Sequence, residues 1–323
     1  MNFLSARGTH EHVARTQLRD GSVCIIAVHS TRLGPSLGGT RLFPYASDAE
    51  ALADALRLSE TMTYKAACAG LPIGGGKAVI VGLASEKSPD LFRSFREFVN
   101  EFKGSYIAAC DMNVTPEDLR PAREVSQWIH GMPRSDGGCG DSFVLTAFGV
   151  YLGIRTCLAY TTGSTSLSGR SIGIDGAGKV GRRLARMLSW EGADLYNAAL
   201  DVISPNSIGG RIDFSTASSL RCKIVAGAAN NQLVSAEAAE ALLKRGILYA
   251  PDFVINADGL IQVVDELHED GTSHERSRSQ VYMIPARLQE IFWRAHQNGL
   301  IPHHVALKMA QQRLCRSATS TIR

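Results

Sequence analysis

Between residues 171 and 190 the chain reads "SIGIDGAGKVGRRLARMLSW". A short apolar run feeds three glycines spaced G-x-G-x-x-G, Gly176, Gly178 and Gly181, and these open a helix-forming stretch. Glycine at such positions permits a tight turn and a close approach of backbone to a ligand, while the first N–H groups of the helix attract an anion. Strand, glycines, then helix is the context a phosphate-binding turn requires. It commits the surrounding chain to a parallel sheet flanked by helices.

The remaining segments alternate in the same way. "SVCIIAVHS" (22–30) predicts a strand entering the turn-rich "TRLGPSLGGTR", and "SDAEALADALRLSETM" predicts a helix, with Ser47 and Glu50 at capping-box spacing and Leu52, Leu56 and Leu58 as its apolar stripe. "KAVIVG" and "SYIAAC" predict strands, the second leading into "DMNVTPEDL", and "SPDLFRSFREFVNEF" predicts a capped amphipathic helix. After the helical "DSFVLTAFGVYLGIRTCLAY", the polar "TTGSTSLSG" (161–169) is the natural domain junction, with a second α/β unit beginning at Ser171. "CKIVAGAAN" and "YAPDFVINADG" read as apolar strands ending in small polar residues, where α/β sheets place ligand contacts. "HEDGTSHERSRSQ" (268–280) reads as a solvated loop, and the last segment as two helices separated at "NGLIP". No internal repeat is visible.

Composition narrows the partner. A net charge of +3 over 323 residues, without a basic tract interleaved with aromatics, gives no support to nucleic-acid or membrane-surface binding and points to a small molecule. No apolar run approaches a membrane span, and the first residues lack a secretory h-region, so a cytoplasmic location is expected. The seven cysteines are scattered and never form C-x-x-C, and His303 and His304 are adjacent rather than one helical turn apart; neither a disulfide framework nor a metal site is expected.

Three elements carry chemistry. In "MTYKAACAGLPIGGGKAVI", Lys65 and Lys77 bracket an apolar, glycine-rich segment; two cations there can hold a carboxylate with one lysine and lower the pKa of the other, whereas two solvated lysines beside a turn is the plainer alternative. A lysine so tuned can serve as a general base. Asp111, at a strand end, is open to a catalytic or a capping role. The glycine turn is the third element.

Together these stretches resemble the leucine, valine and phenylalanine dehydrogenases, the smaller branch of the glutamate dehydrogenase superfamily, over essentially the whole chain. The motifs are "LGPSLGGTRLFPY", "MTYKAACAGLPIGGGKAVI", "DMNVTPEDL", "GAGKVG", "VAGAANNQL" and "YAPDFVINADG". The resemblance implies reversible oxidative deamination of an apolar L-amino acid to its 2-oxo acid with NAD or NADP. It implies that Lys65 grips the substrate carboxylate, Lys77 is the base, Asp111 shuttles protons, Gly38 and Gly39 form substrate-pocket backbone, and Asn256 positions the amine and nicotinamide. Thr146, Gly176, Gly178, Lys179, Gly181 and Asn230 fall on the cofactor side, and a homo-oligomer assembled through the substrate domain is implied.

The fold so implied is α/β with two domains. These are a substrate and oligomerisation domain (1–145) and a truncated Rossmann-like domain (146–290), with C-terminal helices (291–323) returning to the first. The truncation is read from "LYNAALDVISPN". The acid that holds the adenosine ribose should fall near Ala199, yet that strand runs directly into "LDVISPNSIGGRID", as if roughly the 30 residues of one βαβ unit were missing between Tyr196 and Leu200. NAD affinity should fall, and a repurposed relative is the competing expectation, one using the lysines and Asp111 for imine or acid/base chemistry without hydride transfer and with cofactor binding weakened or absent. Two smaller departures stay open. "NADG" places Asp258 near the substrate amine or makes it an exposed strand-end residue, and Lys179 either pairs with a phosphate or is solvated.

Overall fold

The structure is a computed structural model that describes residues 2–4, 9–123, 126–194 and 200–320. Its chain divides into two compact units, Met1–Gly140 with Val263–Thr272 and Gln311–Arg323, and Asp141–Gln262 with Ser273–Ala310. The boundary thus falls at Gly140, before the long helix. The polar stretch 161–169 lies inside the second unit.

The first unit is built on a six-stranded mixed sheet. In chain order its strands are β1 (Asn2–Leu4), β2 (His12–Gln17), β3 (Val23–Ser30), β4 (Ser36–Phe43), β5 (Gly74–Val81) and β6 (Tyr106–Cys110), and their spatial order is β1-β2-β3-β5-β4-β6. β4 runs parallel to both β5 and β6. The segment "SLGGTR", expected as loop, is therefore central strand. Glycine is poor in strands unless neighbours need the space, and here they do: a Cβ on Gly38 would lie 1.8 Å from Gly76 O.

The sheet is covered on both faces. Cys24, Ile26, Val28, Ala78 and Ile80 join α2 (Pro89–Asn100), whose Leu91, Phe92, Phe95, Phe98 and Val99 recur at helical spacing, and α3 (Pro116–Arg123). On the opposite face Ile25, Ala27 and Val79 meet α1 (Asp48–Ala69). Ser47 caps α1 by accepting from Glu50 N at 3.2 Å. The helix outruns its expected end at Met62, continuing through Lys65 to Ala69 and stopping at Gly70, whose φ of 76° is left-handed. Ala51, Ala55, Ser59 and Thr63, four residues apart, are buried, and a Cβ on Gly75 would lie 2.1 Å from Thr63 N, so small residues on both sides let α1 lie hard against β5.

The second unit holds a parallel sheet of β7 (Ile172–Asp175), β8 (Val202–Pro205), β9 (Ile224–Val225) and β10 (Leu248–Tyr249), in the order β10-β9-β8-β7. Its helices are α4 (Ser142–Thr162), α5 (Lys179–Trp190), α6 (Phe214–Ser219), α7 (Ala236–Lys244), α8 (Asp252–Ile255), α9 (Asp258–Asp265), α10 (His274–Val281) and α11 (Ile284–Asn298), while α12 (Pro302–Ser320) runs across the division at Ala310. α4 is long and apolar enough to cross a bilayer, against the expectation of no such run, but 56% of that window is buried and it packs on α5 and α11 as a core helix does.

Three further expectations change. "YAPDFVINADG" is strand only to Tyr249; the rest is helical, because Pro251 starts a short helix and Asp258 opens the next. Residues 268–280 contain α10, capped by Ser273 accepting from Arg276 N at 3.2 Å. α11 packs on α4 and α8 within the second unit instead of returning to the first.

The sheet order also bears on the shortening. Residues 196–199 lie outside the described residues. On either side of them, β7 pairs directly with β8, and beyond β7 the pairing among the described residues is one bridge, Ser171 to Asp194.

Candidate active site

The site in the first unit grows from the register of three adjacent strands. Arg41 on β4 pairs with Val79 on β5, so it shares the α1-facing surface with Lys77, two residues earlier on β5. Asp111 follows the end of β6, which pairs Thr40 with Cys110. Three charged side chains thus come together beside α1.

Lys77 Nζ donates to Asp111 Oδ2, and Arg41 Nε donates to the same oxygen at 3.2 Å. Gly39 makes this meeting possible. A Cβ there would come 2.7 Å from the Asp111 Cβ and 2.9 Å from Cys110 O. Gly38, expected with Gly39 to form substrate-pocket backbone, lies against the Gly76 carbonyl, and its own carbonyl accepts from the Tyr106 hydroxyl at 3.0 Å.

The charges are tuned by burial and by one another. Burial pushes the Lys77 ammonium pKa down, Asp111 offsets part of that, and Arg41 pushes it down further, leaving it below the ordinary lysine value. For Asp111, burial alone would raise the carboxyl, but Lys77 and Arg41 outweigh it and hold it well below the usual carboxylate range. Lys65, on α1, is likewise buried.

Arg41 was absent from the sequence expectations. Its Nη1 donates to Asp54 Oδ2 at 2.9 Å, and that carboxylate also accepts from the Tyr45 hydroxyl at 2.6 Å and from Arg57 at 2.7 Å. The signal was present in "LGGTR": an arginine two residues after Gly39 must share its face of the strand.

The second unit holds the other expected residues. Gly176 adopts φ +104°, and a Cβ on Gly181 would lie 1.9 Å from Gly176 O, so the turn closes onto the first residues of α5 as a phosphate-binding turn must. Gly178 is the N-cap residue, with open space where a side chain would be. Lys179 Nζ sits 4.7 Å over the Phe143 ring, a cation–π contact that neither earlier reading contained. Thr146 Oγ1 donates to Ser142 O at 3.0 Å within α4.

Asn256, buried at the end of α8, donates through Nδ2 to Ala228 O and Asn230 Oδ1, both at 3.0 Å. Its Oδ1 has no partner among the described residues. Asp258 is fully buried, not exposed at a strand end, and Gly149 of α4 lies so close that a Cβ there would meet its Oδ1 at 1.8 Å.

Residues 10–129 match the Glu/Leu/Phe/Val dehydrogenase dimerisation domain, and residues 189–302 match the Glutamate/Leucine/Phenylalanine/Valine dehydrogenase domain. The chain belongs to the Glu/Leu/Phe/Val dehydrogenase family. It is 41% identical to a valine dehydrogenase of Streptomyces coelicolor, over 97% of this chain and 94% of the relative, and 42% identical to a phenylalanine dehydrogenase of Lysinibacillus sphaericus, over 84% and 80%. The crystal structure of L-tryptophan dehydrogenase from Nostoc punctiforme superposes with a TM-score of 0.77 at 35% identity, covering 95% of this chain and 97% of that one. The Streptomyces coelicolor alignment spans 344 positions against 323 residues here, so this family member carries gaps against its relative.

Proposed function

We propose that the protein is an amino-acid dehydrogenase that oxidatively deaminates an apolar L-amino acid to its 2-oxo acid and ammonia, reversibly. The observation that carries the reading is the cluster of buried Lys77 with the half-buried Asp111 and Arg41, in a chain about 40% identical to valine and phenylalanine dehydrogenases over most of its length.

The chemistry follows from the tuning. A Cα–H bond can release hydride only when the amine is neutral, and Lys77, with its pKa held down by burial, takes the proton from the substrate ammonium. Lys65 pairs with the substrate carboxylate and so fixes Cα in place. A nicotinamide cofactor, when bound, accepts the hydride. Once Lys77 has released that first proton to solvent, water adds to the resulting iminium carbon, with Lys77 accepting a proton from the water. Asp111, bonded to Lys77, moves the proton onward to the departing amine.

The second unit offers residues that fit a nicotinamide nucleotide: the Gly176–Gly181 turn for phosphate, and Asn256, whose unpaired Oδ1 can accept from an amide or amine. Asp258 and Thr146 support the α9 and α4 ends nearby: Gly259 beside Asp258 leaves 3.4 Å between an added Cβ and Thr146 Oγ1. Assembly as a homo-oligomer through residues 10–129, and a cytoplasmic setting, complete the proposal. The test is amino-acid-dependent formation of reduced nicotinamide by the purified protein with valine, leucine, phenylalanine and tryptophan. Absence of turnover with every one, at millimolar cofactor, would refute it.

A further inference from the structure

The sheet of the second unit continues from β7 through β8, β9 and β10 on one side, and on the other the described residues add one bridge. On the β8 side the loops after β8 and β9 form one hydrogen-bonded set: Asn206 Oδ1 accepts from Ala228 N at 3.1 Å, Asn206 N donates to Asp175 O at 2.6 Å, and Asn256 binds Ala228 and Asn230. Asn256 in this set is buried, and Asn206, Ala228 and Asn230 are half-buried.

The far side is different. Its single bridge is held by Ile172 N donating to Asp194 O and Asp194 N donating to Arg170 O, both at 2.8 Å. Ser171 stands five residues before Gly176, so at ~3.3 Å per residue Asp194 sits about 16 Å from the phosphate turn, at the opposite end of the sheet. Asp201 is at that same end, accepting from Ser171 N at 3.2 Å and pairing with Lys223 at 2.9 Å. Asp175, beside the turn, is engaged towards β8, accepting from Ser207 Oγ at 2.6 Å with Arg211 at 3.6 Å. Among the described residues, an adenosine ribose next to the turn would therefore find neither a supporting strand nor a carboxylate.

We propose that this protein reads a nicotinamide nucleotide through the nicotinamide–ribose–phosphate half alone, so that the reduced mononucleotide binds about as well as the dinucleotide. The inference rests on the dehydrogenase reading above and adds to it. With no carboxylate among the described residues placed to read the adenosine ribose, the 2′-phosphate of NADPH also goes unread. The protein then discriminates poorly among all three forms.

Calorimetric titration of the full chain with reduced nicotinamide mononucleotide, NADH and NADPH tests this. The expected dissociation constants lie within about fivefold of one another, and 5′-AMP displaces none of them at millimolar concentration. NADH bound more than about thirtyfold tighter than the mononucleotide overturns this inference and leaves the dehydrogenase reading standing. No binding of any of the three overturns both. Gly178→Val supplies the second arm, because the space at Gly178 is open and its φ of −75° suits any residue, so the variant folds while its side chain occupies the phosphate approach. It should weaken all three ligands about tenfold or more with an unchanged thermal midpoint. Mononucleotide binding that survives Gly178→Val places the ligand elsewhere and sinks the proposal.

Discussion

Replacing Arg41 by Met tests the electrostatic logic of the site without touching a group that contacts substrate in the proposed mechanism. Arg41 and Lys77 both reach Asp111 Oδ2, so their charges stand within about 6 Å. At an effective dielectric of about 20, two unit charges at that separation repel by about 3 kcal/mol. The sign follows from the role. Lys77 works as a base only when neutral, so kcat/KM rises as pH passes its pKa, and Arg41 holds that pKa down. Loss of Arg41 should therefore move the acidic limb of the pH–rate profile to higher pH, with the high-pH plateau largely recovered. Asp54 still has Tyr45 and Arg57, so the fold should hold, which circular dichroism checks. Arg41→Lys, keeping the charge, should return most of the shift. A limb that stays in place, or moves to lower pH, would refute the reasoning.

Three other changes read different parts of the molecule. Asp111→Asn removes the carboxylate that holds the Lys77 pKa up, so the same limb should move to lower pH while the plateau kcat falls by about 10²–10⁴; a limb moving upward would contradict the coupling. Gly39→Ala puts a Cβ against Asp111 and Cys110 and should lower kcat/KM by about a hundredfold at a cost of about 1–3 kcal/mol in stability, and wild-type kinetics would show that the pair does not need that space. Glu266 is the buried acceptor for Gly131 N at 2.9 Å and Cys139 N at 2.8 Å, with His130 Nδ1 at 3.4 Å. Glu266→Gln leaves one oxygen for two donors and should cost about 1–3 kcal/mol in denaturant unfolding, whereas an unmoved midpoint would remove Glu266 from that role.

What could be read in advance was whatever depends on local pattern. Ser47 and Ser88 announced their helices because a cap is a contact over three residues, and the glycine turn announced itself because only glycine tolerates its close approaches. Lys77 and Asp111 were legible as candidates, but their pairing is a product of sheet register, 34 residues apart in the chain. Arg41 went unseen for the same reason, its partners Asp54 and Asp111 being supplied by a helix and a neighbouring strand. The glycines of β4 were misread as loop because their purpose, room for Asp111 and for the Gly76 carbonyl, lies on other strands. The 268–280 segment was misread because α10 is polar on most sides and hides little beyond Ser277 and Val281.

The first unit is assembled from three stretches of chain, and the last two are emitted from the ribosome long after its sheet. Arg313 donates to Ala67 O at 3.2 Å and Leu71 O at 3.4 Å, closing the end of α1, and Glu266 fastens residues 131–139. At about 5–20 residues per second of translation, Arg313 follows Gly140 by about 10–35 s. During that interval the nascent sheet has its two cores but not its fastenings, so the stretch from Gly131 to Gly140 is where a cellular protease should cut a stalled chain and spare a finished one.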